Sequence, residues 1–179
     1  MLSCFALVTP DSGAMNFTID LPDEDATRSL GARLAALLQS GDVVLLTGEM
    51  GAGKTTLVRG LVAALDPGVP VTSPTFSLCQ LYDTVPAIAH VDCWRMEGPR
   101  DLNELDLDEL LERGYVALIE WGERLGEYYA SAALSLTLSG SGVHRSCRLS
   151  SDLARWSGLA QALETDVGGT VESESWRRS

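Results

Sequence analysis

The segment Gly48-Glu49-Met50-Gly51-Ala52-Gly53-Lys54-Thr55 fits the pattern G-x-x-x-x-G-K-[ST], and its lysine is the only one in the 179 residues. Glycines let such a loop fold tightly, so that its backbone N–H groups point at the phosphates of a nucleotide. Lys54 would reach the outer phosphates, and the Thr55 hydroxyl would ligate Mg²⁺. The predicted nucleotide-binding residues are Gly48, Glu49, Met50, Gly51, Ala52, Gly53, Lys54, Thr55 and Thr56.

The residues on either side of this loop have the periodicity that a phosphate-binding loop requires. Val43 to Leu46 is a short apolar run, which is typical of a buried parallel strand. From Thr56 to Leu65, leucine and alanine recur on one side at helical spacing. A strand, a glycine loop and a helix, in this order, form the setting in which the motif binds phosphate.

Further apolar runs extend this unit into a domain. The predicted strands are 16–21, 76–82, 87–91 and 116–119, with a hairpin of 134–138 and 145–149; the predicted helices are 23–38, closed by Gly41, and then 101–113, 123–129 and 151–163. We predict an α/β fold, a three-layer sandwich of P-loop NTPase type with a central, mostly parallel sheet and antiparallel edge hairpins. One domain would span residues 16–164, between a disordered lead (1–15) and a disordered tail (165–179).

Charge and composition exclude several classes of function. The 25 acidic residues outnumber the 13 basic ones, giving a net charge of −12, whereas proteins that hold nucleic acid directly usually present a basic face. We therefore expect no direct binding of DNA or tRNA. No apolar stretch approaches the length of a membrane span, and the four cysteines show no C-x-x-C pair. A cytoplasmic protein without a membrane partner is expected.

Three further residues could complete a nucleotide site. Asp92 and Glu120 each follow an apolar run, and ligands of α/β sheets bind beyond the carboxyl ends of the strands. Either residue, judged alone, could equally be an ordinary solvated carboxylate. Thr75 lies on a loop stiffened by Pro74 and could add a hydroxyl to Mg²⁺, although such a threonine is more often a turn residue. His90, two positions before Asp92, is interpreted as structural.

Several motifs in a fixed order join these residues. They are Leu21 to Thr27, Gly48 to Thr56 followed by Arg59-Gly60, Ser73-Pro74-Thr75-Phe76, His90-Val91-Asp92-Cys93-Trp94-Arg95, Leu110 to Gly114 and Leu118-Ile119-Glu120-Trp121. Together they resemble the motifs of the TsaE family, the bacterial ATPases of tRNA threonylcarbamoyladenosine synthesis. Trp94 stands where the family usually has tyrosine, and Gly122 where proline usually follows the Glu-Trp pair.

The resemblance implies an ATPase that uses ATP and Mg²⁺ and works with a TsaD-like and a TsaB-like protein, touching tRNA only through that complex. It implies catalytic roles for Lys54, Asp92 and Glu120, and metal ligation by Thr55, Thr75, Asp92 and Glu120. By analogy, Glu24 (or Asp23) and Arg145 would border the adenine. The separate roles of Asp92 and Glu120 stay open.

Two other functions are compatible with a phosphate loop. One is a nucleotide-dependent assembly switch, in which hydrolysis is only a slow timer. The other is a small-molecule kinase, which would need an acceptor pocket and usually an arginine-rich lid; the sequence contains no such arginine cluster. A GTPase is disfavoured, because the base-reading motif N-K-x-D cannot occur when Lys54 is the only lysine.

Overall fold

The glycine loop lies between a strand and a helix, as the sequence predicts. In this computed structural model, Val43–Thr47 form the strand, and the helix Lys54–Leu65 begins at the loop lysine itself. The structure describes residues 4–5, 15–74, 77–96, 105–125, 129–140 and 144–164.

The elements of the described chain are short, and strands outnumber α-helices. The strands are β1 (Cys4–Phe5), β2 (Met15–Leu21), β3 (Val43–Thr47), β4 (Cys79–Tyr82), β5 (Ile88–Asp92), β6 (Val116–Glu120), β7 (Ala133–Ser139) and β8 (Arg145–Ser151). The α-helices are α1 (Glu24–Ala35), α2 (Lys54–Leu65), α3 (Leu107–Glu112) and α4 (Leu159–Glu164), with 3₁₀ helices at Gly122–Leu125, Ala130–Ala132 and Ala154–Trp156.

The strands form one mixed sheet in the order β1-β2-β8-β7-β3-β6-β5-β4. Its centre, β7, β3, β6 and β5, is parallel. β4 is antiparallel to β5 at one edge, and β8, β2 and β1 continue antiparallel beyond β7. The predicted fold class is confirmed, including the position of β6 beside the strand that precedes the phosphate loop. The pairing of β2 with β8 was not predicted.

The central strands face an apolar core on each side, which gives the three layers. On one face, Val44 and Leu46 of β3 share a core with buried residues of α1 and α2. On the other face, Val43 and Leu45 share a second core with residues of α3 and with Tyr129. Strands covered on both faces read as continuous apolar runs, and this explains why β3 and β6 could be recognised in the sequence.

Two glycines allow α1 and α2 to approach closely. A Cβ atom at Gly31 would lie 2.1 Å from the carbonyl oxygen of Leu57, and one at Gly60 would lie 2.1 Å from that of Arg28. Any side chain at either position would force the helices apart. This contact holds α2, which begins at the loop lysine, closely against α1.

The beginning of α1 was predicted correctly, but its end was not. The Asp23 side chain caps the helix by accepting a hydrogen bond from the Ala26 N–H at 2.7 Å. The helix stops at Ala35, and Gly41, with φ +85°, lies in the turn that leads to β3. Leu38 is buried although it lies beyond the helix, which explains why the apolar pattern continued past the helix end.

The predicted helix over 151–163 is correct only in its second half: α4 begins at Leu159, and the residues before it form the end of β8 and a 3₁₀ helix. Ser151 ends β8, where its Oγ donates to the Ala133 carbonyl at 2.8 Å and accepts from the Leu153 N–H at 3.2 Å. Serine competes for backbone groups in this way and favours strand ends and turns over helix interiors. Gly158 then separates the 3₁₀ helix from α4, because glycine is a weak helix former.

Some predictions lie partly or wholly outside the described residues. These are Thr75 and Phe76, residues 101–104 of the predicted helix over 101–113, residues 126–128 of the helix over 123–129, the hairpin turn at 141–142 and the tail from 165. The short strand β1 lies within the predicted lead, and it pairs with β2. The domain boundaries remain predictions. Within the described chain, no helix has the length and apolarity needed to cross a bilayer.

Candidate nucleotide site

The loop between β3 and α2 depends on glycine at two positions for different reasons. Gly48 has φ +133°, and a Cβ there would lie 2.3 Å from the Leu138 carbonyl oxygen of β7. Gly53 has φ +108° and is the N-cap of α2, so the free N–H groups of the first helical turn lie at the loop. A helix N-terminus behind a glycine loop is a ready-made site for anions.

Lys54 is held inside the loop by the loop's own backbone. Its Nζ donates to the carbonyl oxygens of Gly48 at 2.6 Å and Glu49 at 3.0 Å. The same ammonium lies 3.7 Å from the centroid of the Trp121 ring, within range of a cation–π interaction. The side chain is only 5% exposed. The ammonium thus occupies the mouth of the loop, where a phosphate would compete for it.

Burial lowers the pKa of Lys54 because the charged ammonium loses hydration. The nearby carboxylates of Glu120, Glu123 and Asp92 oppose this effect. Low hydration strengthens the attraction between this ammonium and a phosphate, whereas the nearby carboxylates compete with the phosphate for it.

Asp92 and Glu120 lie side by side at the ends of β5 and β6. They are partners in the parallel register, and each is only 3% exposed. Glu120 Oε1 accepts a hydrogen bond from Thr55 Oγ1 at 2.8 Å, which joins the acidic pair to the phosphate loop. Asp92 Oδ1 accepts from the Trp94 N–H at 2.8 Å. The structure therefore brings together the acidic residues that the sequence could only suggest one at a time.

His90 belongs to this cluster, although its sequence context led to a purely structural interpretation. Its Nε2 lies 2.9 Å from Glu120 Oε1, and the side chain is fully buried. The signal that could have revealed it is the strand period. Residues two apart on β5 share a face, so His90 and Asp92 point to the same side of the sheet.

Two tryptophans form the rim of the site. Trp121 has φ +61°, a left-handed conformation that is rare for a bulky residue, and strained positions of this kind cluster at functional sites. Its ring packs against that of Trp94, with centroids 4.5 Å apart, and the Arg124 guanidinium lies 4.8 Å from the Trp94 ring. The tryptophan at position 94, where a tyrosine was expected by resemblance, thus supplies ring surface at the rim.

These residues line one cleft of about 400 Å³. Its walls are formed by Met50, Gly51, Gly53, Lys54, Thr55, Thr56, Ser73, Asp92, Trp94, Glu120 and Trp121. Most of the predicted site residues meet here, and Thr75 lies outside the described residues. Gly48 and Glu49 contribute through their carbonyl contacts with Lys54. Ser73, Trp94 and Trp121 line the cleft without having been predicted as site residues.

The two residues predicted to border the adenine do not line this cleft. Glu24 is at the start of α1 and is paired with Arg28 at 2.6 Å, with both side chains about half exposed. Hydrogen bonding to Arg28 lowers the pKa of Glu24, with a smaller contribution from Arg145. A Cβ at Gly53 would lie 3.4 Å from Arg145 Cδ, so this arginine packs against the loop. Arg145 is thus beside the loop, while Glu24 is tied into a surface ion pair.

The oxygen atoms at the cleft suit Mg²⁺ better than a softer metal. The Thr55 hydroxyl can donate its proton to Glu120 and still offer lone pairs to a cation, and carboxylate oxygens are hard ligands. Within the described chain, no cluster of three or more His, Cys, Asp or Glu residues could hold a metal. Mg²⁺ at nucleotide sites is usually held by one or two protein oxygens plus phosphates and waters, so the donor set fits.

Comparison with known proteins agrees with this geometry. The sequence model of a family described as threonylcarbamoyl adenosine biosynthesis protein TsaE matches residues 21–147. The chain belongs to the TsaE family. The family resemblance inferred from the motifs is confirmed.

Curated relatives and a solved structure support the assignment to the TsaE family. A "tRNA threonylcarbamoyladenosine biosynthesis protein TsaE" from Mycobacterium tuberculosis is 40% identical over 131 residues, covering 68% of this chain and 77% of that protein. The protein of the same name from Streptomyces coelicolor is 48% identical over 100 residues, covering 54% and 67%. The crystal structure of Bacillus subtilis YdiB superposes with a TM-score of 0.70 at 26% identity, covering 86% of this chain and 97% of that one.

Proposed function

We propose that this chain is the ATP-binding and ATP-hydrolysing member of the bacterial machinery that makes tRNA threonylcarbamoyladenosine. The names of its relatives support the pathway, and the family and the P-loop fold support nucleotide hydrolysis. One observation carries the enzymatic part: the hydrogen bond between Thr55 of the loop and Glu120 at a strand end. It connects the phosphate-binding element directly to the buried acidic pair.

The loop would bind the nucleotide through its backbone and Lys54. N–H groups of residues 48–56 would surround the phosphates, as expected for a glycine loop before a helix. The Lys54 ammonium would leave the carbonyls of Gly48 and Glu49 and bind the outer phosphates. A buried ammonium is a strong phosphate ligand, because little water competes for it.

The metal ligands would come from both sides of the cleft. Thr55 Oγ1 would ligate Mg²⁺, with Asp92 and Glu120 at the same edge of the sheet, and Thr75 remains a further candidate. When bound, Mg²⁺ would neutralise charge that develops on the phosphates. The protein's own part is to keep the two carboxylates and the threonine hydroxyl at fixed positions around the terminal phosphate.

Hydrolysis would depend on positioning and charge rather than on a covalent step. Asp92 and Glu120 would orient the attacking water, and Lys54 would stabilise negative charge on the phosphoryl oxygens. Both carboxylates are buried and adjacent in register. Water held between them would therefore have few alternative orientations.

The partners would be TsaD-like and TsaB-like proteins of the cytoplasm. The net charge of −12 disfavours direct contact with tRNA, so the complex would provide the tRNA-binding surface. No membrane or DNA partner is required by this function.

The test is ATP turnover by the purified chain mixed with TsaD-like and TsaB-like proteins of the same organism. Glu120→Gln keeps the shape of the side chain and should lower kcat about 100-fold, a typical effect of removing one preorganised electrostatic group. Glu109→Gln, the same change on the exposed surface of α3, should leave kcat unchanged. Turnover by Glu120→Gln at the wild-type rate would refute the assignment.

The assembly switch is a second candidate, because Lys54 and Thr55 make hydrogen bonds within the chain, to Gly48 and Glu120, that a nucleotide would displace. In that case the nucleotide acts chiefly by rearranging the site. Partner affinity should then differ between ADP and a non-hydrolysable ATP analogue, as measured by calorimetry. Equal affinity in both states would exclude the switch.

A further inference from the structure

We propose that His90 is a positioning residue that fixes the carboxylate of Glu120 for ATP hydrolysis; this rests on the proposed function. The imidazole Nε2 lies 2.9 Å from Glu120 Oε1. An ionised carboxylate can only accept hydrogen bonds, so Nε2 must carry the proton and donate it. His90 therefore acts on the site through Glu120 and without contact with the nucleotide.

Burial makes this hydrogen bond important. Glu120 is 3% exposed and His90 0% exposed, so bulk water is a poor substitute for the donor that His90 supplies from the interior. A buried carboxylate without hydrogen-bond donors carries a large desolvation cost. Asp92, the register partner of Glu120, adds like-charge repulsion that favours a swing of the Glu120 side chain away from the site.

Two donors meet on the same carboxylate oxygen. Thr55 Oγ1 lies 2.8 Å and His90 Nε2 2.9 Å from Glu120 Oε1. Thr55 belongs to the phosphate loop, which must adapt to the nucleotide. His90 belongs to the central strand β5 and is fully buried, so it supplies the anchor that stays in place when the loop rearranges.

The rest of the His90 environment gives the ring no competing function. Tyr82 packs alongside it, with ring centroids 6.4 Å apart and an interplanar angle of 28°. No described residue hydrogen-bonds the imidazole Nδ1. Among the described residues, Glu120 is the side-chain hydrogen-bond partner of His90.

The experiment compares three substitutions of similar size in the complete complex. Gln reaches the position of imidazole Nε2 with its amide nitrogen, Asn reaches only that of Nδ1, and Leu fills the space without a donor. We expect His90→Leu and His90→Asn to lower kcat by about 10–100-fold with KM for ATP within about threefold of wild type. His90→Gln should recover most of the lost kcat.

A role in packing alone predicts the opposite order. His90→Leu would then keep kcat, and His90→Gln would be no better than His90→Asn. Either result, in variants whose thermal midpoints match the wild type, overturns the proposal. A loss expressed only in KM overturns it as well.

A measurement without ATP separates this proposal from the proposed function. The chain has two histidines, so nitrogen NMR can assign the ring of His90 by its absence in His90→Gln. We expect the Nε2–H tautomer, with a proton signal that shifts in Glu120→Gln. The Nδ1–H tautomer would refute the His90 proposal even if ATP is hydrolysed. Failure of the wild-type complex to hydrolyse ATP would refute the proposed function and leave the tautomer result intact.

Discussion

The parallel strands β5 and β6 bury every one of their residues, whereas buried and more exposed residues alternate along the antiparallel strand β2. Alternation is typical of a sheet with one solvated face, and continuous burial is typical of a sheet covered on both faces. The parallel strands end in buried polar groups, Asp92 and Glu120, with His90 on the same face. The antiparallel strands bury mainly apolar side chains. The first region places charges, and the second stabilises the sheet that holds them.

The largest expected effect concerns the antiparallel strands, which stabilise the sheet. Leu149 of β8 is fully buried and lies opposite Phe17 and Leu136 in the ladders. Leu149→Ala should lower the free energy of unfolding by about 2–5 kcal/mol, because it removes apolar contacts and leaves a cavity. Urea denaturation measures this change. The exposed neighbour Arg148 provides the control: Arg148→Ala should change stability by less than about 0.5 kcal/mol.

The folded fraction of Leu149→Ala should bind Mg²⁺ and an ATP analogue as the wild type does. A tenfold loss of affinity in the folded variant would contradict the division between the two regions.

A somewhat smaller effect is expected on nucleotide affinity when the charged residues of the cleft are changed. Lys54→Ala should weaken binding of a non-hydrolysable ATP analogue by about 10–100-fold, because a hydrogen bond to a charged group contributes about 1.5–3 kcal/mol. Lys54→Arg should not restore binding, since a planar guanidinium fork is bulkier than an ammonium on a slender stem. Calorimetry measures both affinities.

Arg148→Ala removes the same charge from the exposed side of β8 and is the matched control for Lys54→Ala. If both variants lost equal affinity, the effect would be one of net charge, and the special position of Lys54 would be disproved.

The smallest effect concerns pH. Burial lowers the pKa of Lys54 in the folded state, below the usual value of 10.5. Between these two values the unfolded chain binds more protons than the folded chain, so stability should rise with pH. Below the lowered pKa the cost of burying the charge is fully present. Lys54→Met removes this dependence, and urea denaturation of both proteins between pH 7 and 10.5 would show it. Parallel pH curves for the two proteins would refute it.

The elements predicted best from the sequence are those with a simple burial pattern along their whole length. β3, β6 and α2 were recognised because strands covered on both faces are uniformly apolar and a helix packed on one face has a regular stripe. The loop was recognised because its glycines and Lys54 are required by the chemistry of phosphate binding. The pairing of β2 with β8 could not be predicted, since strand pairing joins residues far apart in the sequence.

Individual site residues were predictable only in part. Asp92 and Glu120 were found as polar residues that follow apolar strands, but their contact depends on register, which a single strand does not reveal. His90 was assigned to structure because one histidine in an apolar run usually is. Its hydrogen bond with Glu120 crosses from β5 to β6. The first half of the helix over 151–163 was predicted wrongly because the hydroxyl of Ser151 satisfies backbone groups at the end of β8 instead.

The glycine contact between α1 and α2 has a mechanical consequence. Backbone meets backbone at Gly31 and Gly60, and backbone atoms have no rotamers with which to absorb a displacement. The two helices therefore form a rigid pair behind the loop that precedes α2. A displacement of α1 would therefore carry α2 with it, and α2 begins at Lys54.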